Sequence, residues 1–272
     1  MKIKTDNYEI YKGDCLEVMD QLIERGIKVD AVICDPPYGT VSCKWDSVIP
    51  FDEMWKRIDK LIKPNGAIVL FGSQPFTTDL INSNRKIFKH INYWNKENCG
   101  NFAIAKYRPL AVIEEIIVFC NGKLTYNPQM VLADDKNKRP RKNGAKVKED
   151  STQGIASGIC IVSQNHNENL RYPKNLLTYN NRKKELNSTK RLHPTQKPVS
   201  LLMYLVRTYT NENEVILDFT MGSGSTGVAC MLTDRKFIGV ELDDKYFEIA
   251  ENRLKEATEK KEELLKAFDE SN

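Results

Sequence analysis

The 272-residue sequence has no run of eighteen apolar residues, which excludes a membrane-spanning helix. Its start, MKIKTDNYEI, is charged where a secretory signal needs an apolar stretch, so a cytoplasmic protein is expected. Histidine is scarce, with three scattered copies, and the seven cysteines (Cys15, Cys34, Cys43, Cys99, Cys120, Cys160, Cys230) are odd in number and contain no CxxC. That pattern speaks against a disulfide framework or a structural zinc, and no metal is expected. Acidic residues are absent between Lys136 and Lys148, a stretch holding seven basic ones. The net charge of +4 is too small to indicate a partner by itself. With 40% hydrophobic and 29% charged residues, the chain has the composition of a globular protein with one large core, or one core and a small appended module.

What is present alternates between strand and helix signals. Asp30 to Cys34 is a short buried strand ended by Asp35-Pro36-Pro37, since proline cannot continue a ladder. Phe51, Met54, Trp55, Ile58, Leu61 and Ile62 lie on one helical face, and Pro64-Asn65-Gly66 is expected to stop that helix. Further strands are predicted at Ala67–Phe71, Ile87–Trp94, Ile113–Phe119, Val215–Phe219 and Phe237–Val240, with a helix opening at Pro198 and a long charged helix at the C-terminus. Such alternation implies an α/β fold with a mostly parallel sheet covered on both faces. From about Asn121 to Arg191 the periodicity fades into Gly, Asn, Lys and Ser, and so long an unpatterned stretch in a compact protein points to binding.

After the strand Val215–Asp218 comes Gly222-Ser223-Gly224-Ser225-Thr226-Gly227, and Glu241 follows about twenty residues later. A glycine-rich turn between strand and helix lets backbone approach a ligand, and an acid at the next strand end accepts hydrogen bonds from a ribose diol. A dinucleotide-dependent dehydrogenase and a purely structural turn both satisfy this motif alone. Only thirty-one residues follow Glu241, too few for the strands a second nucleotide requires, so an adenosyl ligand with a short tail fits better.

Asp35-Pro36-Pro37-Tyr38 adds the chemistry. An exocyclic amine on a base is a poor nucleophile because its lone pair is delocalised into the ring. A carboxylate (Asp35) and a rigidly presented carbonyl (Pro36) accept its two hydrogens, favour a tetrahedral nitrogen and so strengthen in the transition state. Tyr38 offers a flat face for an extruded base. A strand-ending turn with an exposed tyrosine is the plainer alternative.

With these two motifs placed, the chain resembles the amino-methyltransferases of DNA in their β-type order, where the DPPY element precedes a target-recognition region and an FxGxG-like cofactor motif comes last. Tyr11-Lys12-Gly13-Asp14-Cys15-Leu16 resembles that family's N-terminal cofactor segment, His193-Pro194-Thr195-Gln196-Lys197-Pro198 its HPTQKP element, and Phe237-Ile238-Gly239-Val240-Glu241 the strand carrying the ribose-binding acid. The resemblance implies an S-adenosylmethionine-dependent methyltransferase fold with a roughly seven-stranded sheet. A catalytic domain would be formed by residues 1–120 and 191–272, around an inserted recognition region at 121–190. It implies catalysis by Asp35, Pro36, Pro37 and Tyr38. S-adenosylmethionine would be held by Asp14, Cys15, Thr195, Lys197, Asp218, Phe219, Gly222, Ser223, Gly224, Thr226 and Glu241. Where the family has an aromatic two residues before the first cofactor glycine, this chain has Thr220, and Phe219 is the nearest substitute.

The implied substrate is double-stranded DNA, contacted through Lys138, Arg139, Arg141 and Lys142, with Asn143, Gln153 or Arg171 as candidate base readers. The basic run taken alone fits a solvated loop equally well. The implied product is N6-methyladenine after base flipping, with N4-methylcytosine, a methylated RNA or protein amide, and a non-catalytic DNA-binding relic as alternatives. A bacterial or phage origin and a cognate restriction endonuclease also follow from the resemblance as expectations, while the C-terminal helix, with Lys and Glu around Leu254, Leu264, Leu265 and Phe268, fits either a homodimer contact or, as is commoner, packing on its own sheet. Trp94 is expected near the base pocket or in the core.

Overall fold

Segments of extended and helical structure alternate along the chain and place the carboxyl ends of the parallel strands on one side of a sheet. The computed structural model describes residues 1–39, 47–99, 102, 105–132, 170–181 and 196–269, with side chains of the last helix described to residue 263. The N-terminal part runs β1 (Lys2–Lys4), β2 (Tyr8–Lys12), α1 (Cys15–Glu24), β3 (Val29–Cys34), α2 (Phe51–Leu61), β4 (Ile62–Gly72), α3 (Phe76–Ser83), β5 (Phe88–Asn95) and β6 (Ile113–Phe119). After β7 (Val131–Leu132) and β8 (Leu170–Arg171) come β9 (Leu176–Thr178), α4 (Val199–Tyr209), β10 (Val215–Asp218), α5 (Ser225–Met231), β11 (Lys236–Glu241) and α6 (Asp244–Asp269).

Among the described residues the main sheet has nine strands, in the order β1-β2-β11-β10-β3-β4-β6-β5-β9. The seven from β2 to β5 form the body anticipated from the sequence, and β1 and β9 add one short strand at each edge. The pairs β2–β11, β11–β10, β10–β3 and β3–β4 are parallel, whereas β6 runs antiparallel to both β4 and β5. The chain leaves β3 towards β4 and leaves β10 towards β11, so the strand order reverses between β3 and β10. A ligand crevice opens at such a switch point, outside the carboxyl ends of the strands.

Alternation along each strand divides the core in two. Ala31, Ile33, Val69 and Phe71 face α4–α6 through Leu201, Leu205, Val228, Phe247 and Leu254. Val32, Cys34, Ile68 and Leu70 face α1–α3 through Met19, Leu22, Trp55, Ile58 and Leu80. Each fully buried Val, Leu, Ile or Phe contributes roughly 1.5–3 kcal/mol, and this two-sided burial is why the central strands read as continuous apolar runs. Leu254 is fully buried against the chain's own core, so the first half of α6 is a packing helix. Leu264, Leu265 and Phe268 lie outside the described side chains.

One boundary differs from the sequence reading. Helix α2 ends at Leu61, and Pro64-Asn65-Gly66 lies within β4 rather than acting as the stop. At Gly66 a side-chain carbon would sit 2.6 Å from the Asp30 carbonyl, so glycine is what lets β4 lie against β3 where their register shifts.

The chain divides into two compact units, residues 1–127 with 174–272, and residues 128–173. The second is narrower than the expected 121–190 insert because Leu176–Thr178 pairs with β5 in the main sheet and the Asn127 amide donates to the Thr208 carbonyl at 2.7 Å. In the smaller unit β7 and β8 pair antiparallel, and Arg171 Nη1 donates to the Leu170 carbonyl at 2.9 Å. Lys138, Arg139, Arg141, Lys142, Asn143 and Gln153 lie outside the described residues. No helix among the described residues is long and apolar enough to cross a membrane.

Candidate active site

The parallel pairing of β3 with β10 brings the turn after Cys34 beside the turn after Asp218. Thr220 stitches them together, with its hydroxyl donating to the Asp35 carbonyl at 3.0 Å and lying 3.0 Å from Cys34 Sγ. The position where the family's aromatic was expected thus carries a short polar tie. Phe219 does not replace that aromatic. Its side chain is 1% exposed in the α1–α3 core, where it has no surface to offer a ligand, and its assignment to the cofactor is corrected.

The glycine-rich turn is shaped by left-handed backbone at Gly222 (φ 53°) and Gly224 (φ 75°). Gly224 also lies against α6, where a side-chain carbon would come within 2.9 Å of Ala250 Cβ. At Gly222 nothing would lie within 4 Å of such a carbon, so this glycine faces open space. Ser223 and Gly224 belong to the turn itself, and Thr226 lies in the first turn of α5. Arg253, a residue with no signal in the sequence, reaches from α6 to the Ser223 carbonyl (2.5 Å), Ser223 Oγ (3.0 Å) and Ser225 Oγ (3.0 Å).

The strand ends are tied in turn. Glu241 accepts from the Gly222 amide at 2.8 Å and the Asp243 amide at 2.8 Å, and its carbonyl accepts from Gly13 at 2.9 Å. Asp14 Oδ1 caps α1, accepting from the Leu16 amide at 2.9 Å and the Glu17 amide at 3.2 Å, which is also what a helix start selects for. Burial, then the Asp14 charge, pushes the Cys15 thiol up to about 11, so it is neutral. Asp218 is buried behind the turn and accepts from the Thr220 amide at 3.2 Å; burial lifts its pKa to about 7 against those hydrogen bonds. Burial likewise raises Glu241.

An adenosyl ligand asks for paired acceptors at a strand end, a further acceptor for its amine and backbone that no side chain screens. Glu241, Asp14 and the open face of Gly222 meet these needs, so the residues fit S-adenosylmethionine. Thr195 lies outside the described residues.

Asp35 sits at the centre of the second half of the site, with its side chain 26% exposed. The Tyr38 hydroxyl donates to Oδ1 at 2.6 Å and Lys197 Nζ to Oδ2 at 2.5 Å. Pro36 is buried and Pro37 partly so. The Tyr38 ring packs tilted on Phe76, with centroids 5.1 Å apart. Lys197, expected from the resemblance to hold the cofactor, reaches the carboxylate of the DPPY element. Glu114, at the start of β6, lies 3.5 Å from the same ammonium and takes a second lysine, Lys96, at 3.0 Å. Burial raises the Asp35 pKa against the pull of Lys197. Burial pushes Lys197 down, but Asp35 and Glu114 outweigh it and hold the ammonium above its ordinary value. Trp94 is core, its indole N–H donating to the Tyr179 carbonyl at 2.8 Å. Nothing in the sequence singles out Glu114, since a charge at the mouth of an apolar strand ordinarily faces water.

A switch-point crevice with an adenosyl-type turn on one side and a DPPY carboxylate on the other defines a nucleotide-cofactor transferase of the α/β class. The chain belongs to the DNA methylase family of N6 and N4 enzymes, whose model matches residues 29–252. It is 26% identical over 251 residues to the type II methyltransferase M1.MboII of Moraxella bovis, a match covering 88% of this chain and 93% of that one. Over 276 residues it is 25% identical to the DNA adenine methyltransferase YhdJ of Escherichia coli, covering 94% and 86%. Its fold matches the crystal structure of the M1.HpyAVI–SAM complex with a TM-score of 0.61 at 26% identity, covering 91% of this chain and 98% of that one.

Proposed function

We propose that this chain transfers the methyl group of S-adenosylmethionine to the N6 amino group of adenine in double-stranded DNA, at a specific sequence and with the base flipped out of the helix. The observation that carries it is Asp35 on the DPPY turn, bound through Thr220 to the cofactor turn. When bound, the cofactor supplies an electrophilic methyl on a sulfonium and leaves as a neutral thioether. The residues of the chain do the rest. Glu241 and Asp14 accept from the ribose and the adenine amine, and the bare backbone at Gly222 lets the ligand lie close.

Asp35 accepts one hydrogen of the target amine and the Pro36 carbonyl the other, which localises the nitrogen lone pair towards the methyl. Nitrogen and methyl held in line supply much of the remaining acceleration. As the new N–C bond forms, the nitrogen carries an extra proton, which passes to the Asp35 carboxylate. The preference for adenine rests on the DPPY sequence and on the relative named as an adenine enzyme. Cytosine N4 presents the same kind of amine, and the clamp itself does not distinguish them.

The reading extends to recognition by the unit at 128–173, with Lys138, Arg139, Arg141 and Lys142 on phosphates. It also extends to work in a bacterial cytoplasm beside a cognate restriction endonuclease, on the strength of relatives named as type II methyltransferases. The test is to incubate unmethylated DNA with the protein and methyl-labelled S-adenosylmethionine, then digest to nucleosides. Label in N6-methyldeoxyadenosine is expected. Label only in N4-methylcytosine overturns the base, and no label in DNA overturns the function.

A further inference from the structure

Both oxygens of Asp35 are already engaged, one by the Tyr38 hydroxyl and one by the Lys197 ammonium. A carboxylate that carries an ammonium has its charge largely neutralised and is a weak acceptor for a neutral amine. Each oxygen keeps a lone pair for a further donor, but Asp35 polarises a target amine more strongly once Lys197 gives up its place there. Water is a poor destination. Lys197 is 8% exposed, and its Nζ lies 5.0 Å from the centroid of Phe71 and 5.9 Å from that of Tyr38. A buried ammonium without a partner is costly, so it needs a second anion within reach.

That anion is present. Glu114 Oε2 lies 3.5 Å from Lys197 Nζ, and it is one of three buried side-chain oxygens among the described residues that have no hydrogen-bond partner. Its other oxygen is pinned by Lys96 at 3.0 Å, so the carboxylate is held in place while one oxygen waits. The charges alternate in a row: Lys96, Glu114, Lys197, Asp35. A shift of Nζ towards Oε2, closing the present 3.5 Å to charge-assisted hydrogen-bond length, completes the Glu114 bond at the expense of the one to Asp35 Oδ2. The Lys96 and Lys197 charges overcome burial to keep Glu114 below its ordinary pKa, so the waiting seat is an anion at neutral pH.

We infer that Glu114 is a positioning residue for methyl transfer: it is the second seat of Lys197, taken up as the target amine replaces the ammonium on Asp35. This rests on the reading of Asp35 as the amine acceptor. Glu114 pairs with Lys96 and Lys197, and it acts by freeing Asp35. It also faces Asp35 as a like charge, alongside Asp218, while Lys197 opposes both.

The experiment is single-turnover methylation as a function of pH, with S-adenosylmethionine affinity and thermal melting recorded for each variant. In Glu114→Gln the ammonium has only Asp35 to pair with. The plateau rate falls by about 10- to 100-fold, the worth of one charge-assisted hydrogen bond. Cofactor affinity stays within about threefold, on the order of the scatter expected for a residue outside that site. Loss of the like charge lets Asp35 ionise more readily, so the acidic limb of the profile moves to lower pH. A plateau within twofold of the wild type, or a lower plateau with an unmoved limb, overturns the assignment.

Glu114→Asp keeps the charge but withdraws it by one methylene, and it tests the same point if the glutamine variant does not fold. Its plateau falls by about 3- to 10-fold with the limb unmoved, a partly lengthened charge-assisted bond. A wild-type rate or a shifted limb in this variant overturns the assignment. Asp35→Ala in the same assay separates the two readings. Undiminished turnover there removes the amine-acceptor role itself, whatever Glu114 does.

Discussion

Asp35 has to be an anion to accept a hydrogen from the target amine, yet burial raises its pKa. Turnover at saturating cofactor therefore rises with pH along a limb lying above the ordinary carboxylate range, then levels off. Asp35→Ala is expected to bind S-adenosylmethionine as the wild type does and to lose at least about 100-fold in rate, the loss typical of removing one transition-state partner. Calorimetric titration and a filter-binding methylation assay check the two halves. Asp218 bears on stability. Its folded-state pKa of about 7 exceeds the ordinary 3.8, so between those values the folded protein binds more protons than the unfolded chain. The stability of the cofactor-free protein is thus expected to fall as pH rises from about 4 to about 7, by about 1.4 kcal/mol for each pH unit crossed. Asp218→Asn removes that slope, and urea melts at a series of pH values measure it. A slope unchanged by the substitution would show that another group carries it.

The turn between β10 and α5 separates two roles for glycine that look alike in sequence. Gly222 and Gly224 both have positive φ, so alanine at either strains the backbone by about 1–2 kcal/mol. Only Gly224 also presses on Ala250. Gly224→Ala is expected to lower the melting temperature clearly more than Gly222→Ala does. Gly222→Ala instead fills the open face proposed for the cofactor and weakens its binding by about tenfold or more, the equivalent of 1.4 kcal/mol. Differential scanning fluorimetry with and without S-adenosylmethionine resolves the two, and equal behaviour of both variants would refute the division. The turn is also where the sequence misled. Phe219 fits the family's aromatic by proximity, yet the alternation along β10 turns it into the core and leaves Thr220 facing Asp35. A shift of one residue in a motif exchanges the two faces of a sheet.

For the whole molecule, DNA affinity is expected to fall steeply with salt if the basic run at 136–148 meets phosphates, with a log–log slope near −0.9 per contact on duplex DNA. Replacing Lys138, Arg139, Arg141 and Lys142 by alanine is expected to reduce the slope by up to about 3.6 and to leave S-adenosylmethionine binding unchanged, which a fluorescence anisotropy titration across salt concentrations measures. An unaltered slope would leave that run as a solvated loop. The α/β class, the two-sided burial of the central strands, the DPPY turn and the glycine-rich turn were legible in the sequence because each is a local pattern: apolar runs of strand length, proline after a strand, glycine before a helix. The narrowing of the insert to 128–173 was not legible, because Leu176–Thr178 is recognisable as a strand only beside β5. The partners of the site were not legible either. Arg253 on the turn, Glu114 beside Lys197, and Lys197 on Asp35 join positions separated by 30, 83 and 162 residues, and no spacing rule connects them. The sequence alone determined what chemistry is available, since residue types and local backbone demands are written in order along the chain. Which charges confront one another at the head of the sheet was decided by strand order, because the sequence of neighbours β3-β4-β6 brings Asp35 and Glu114 around one buried ammonium.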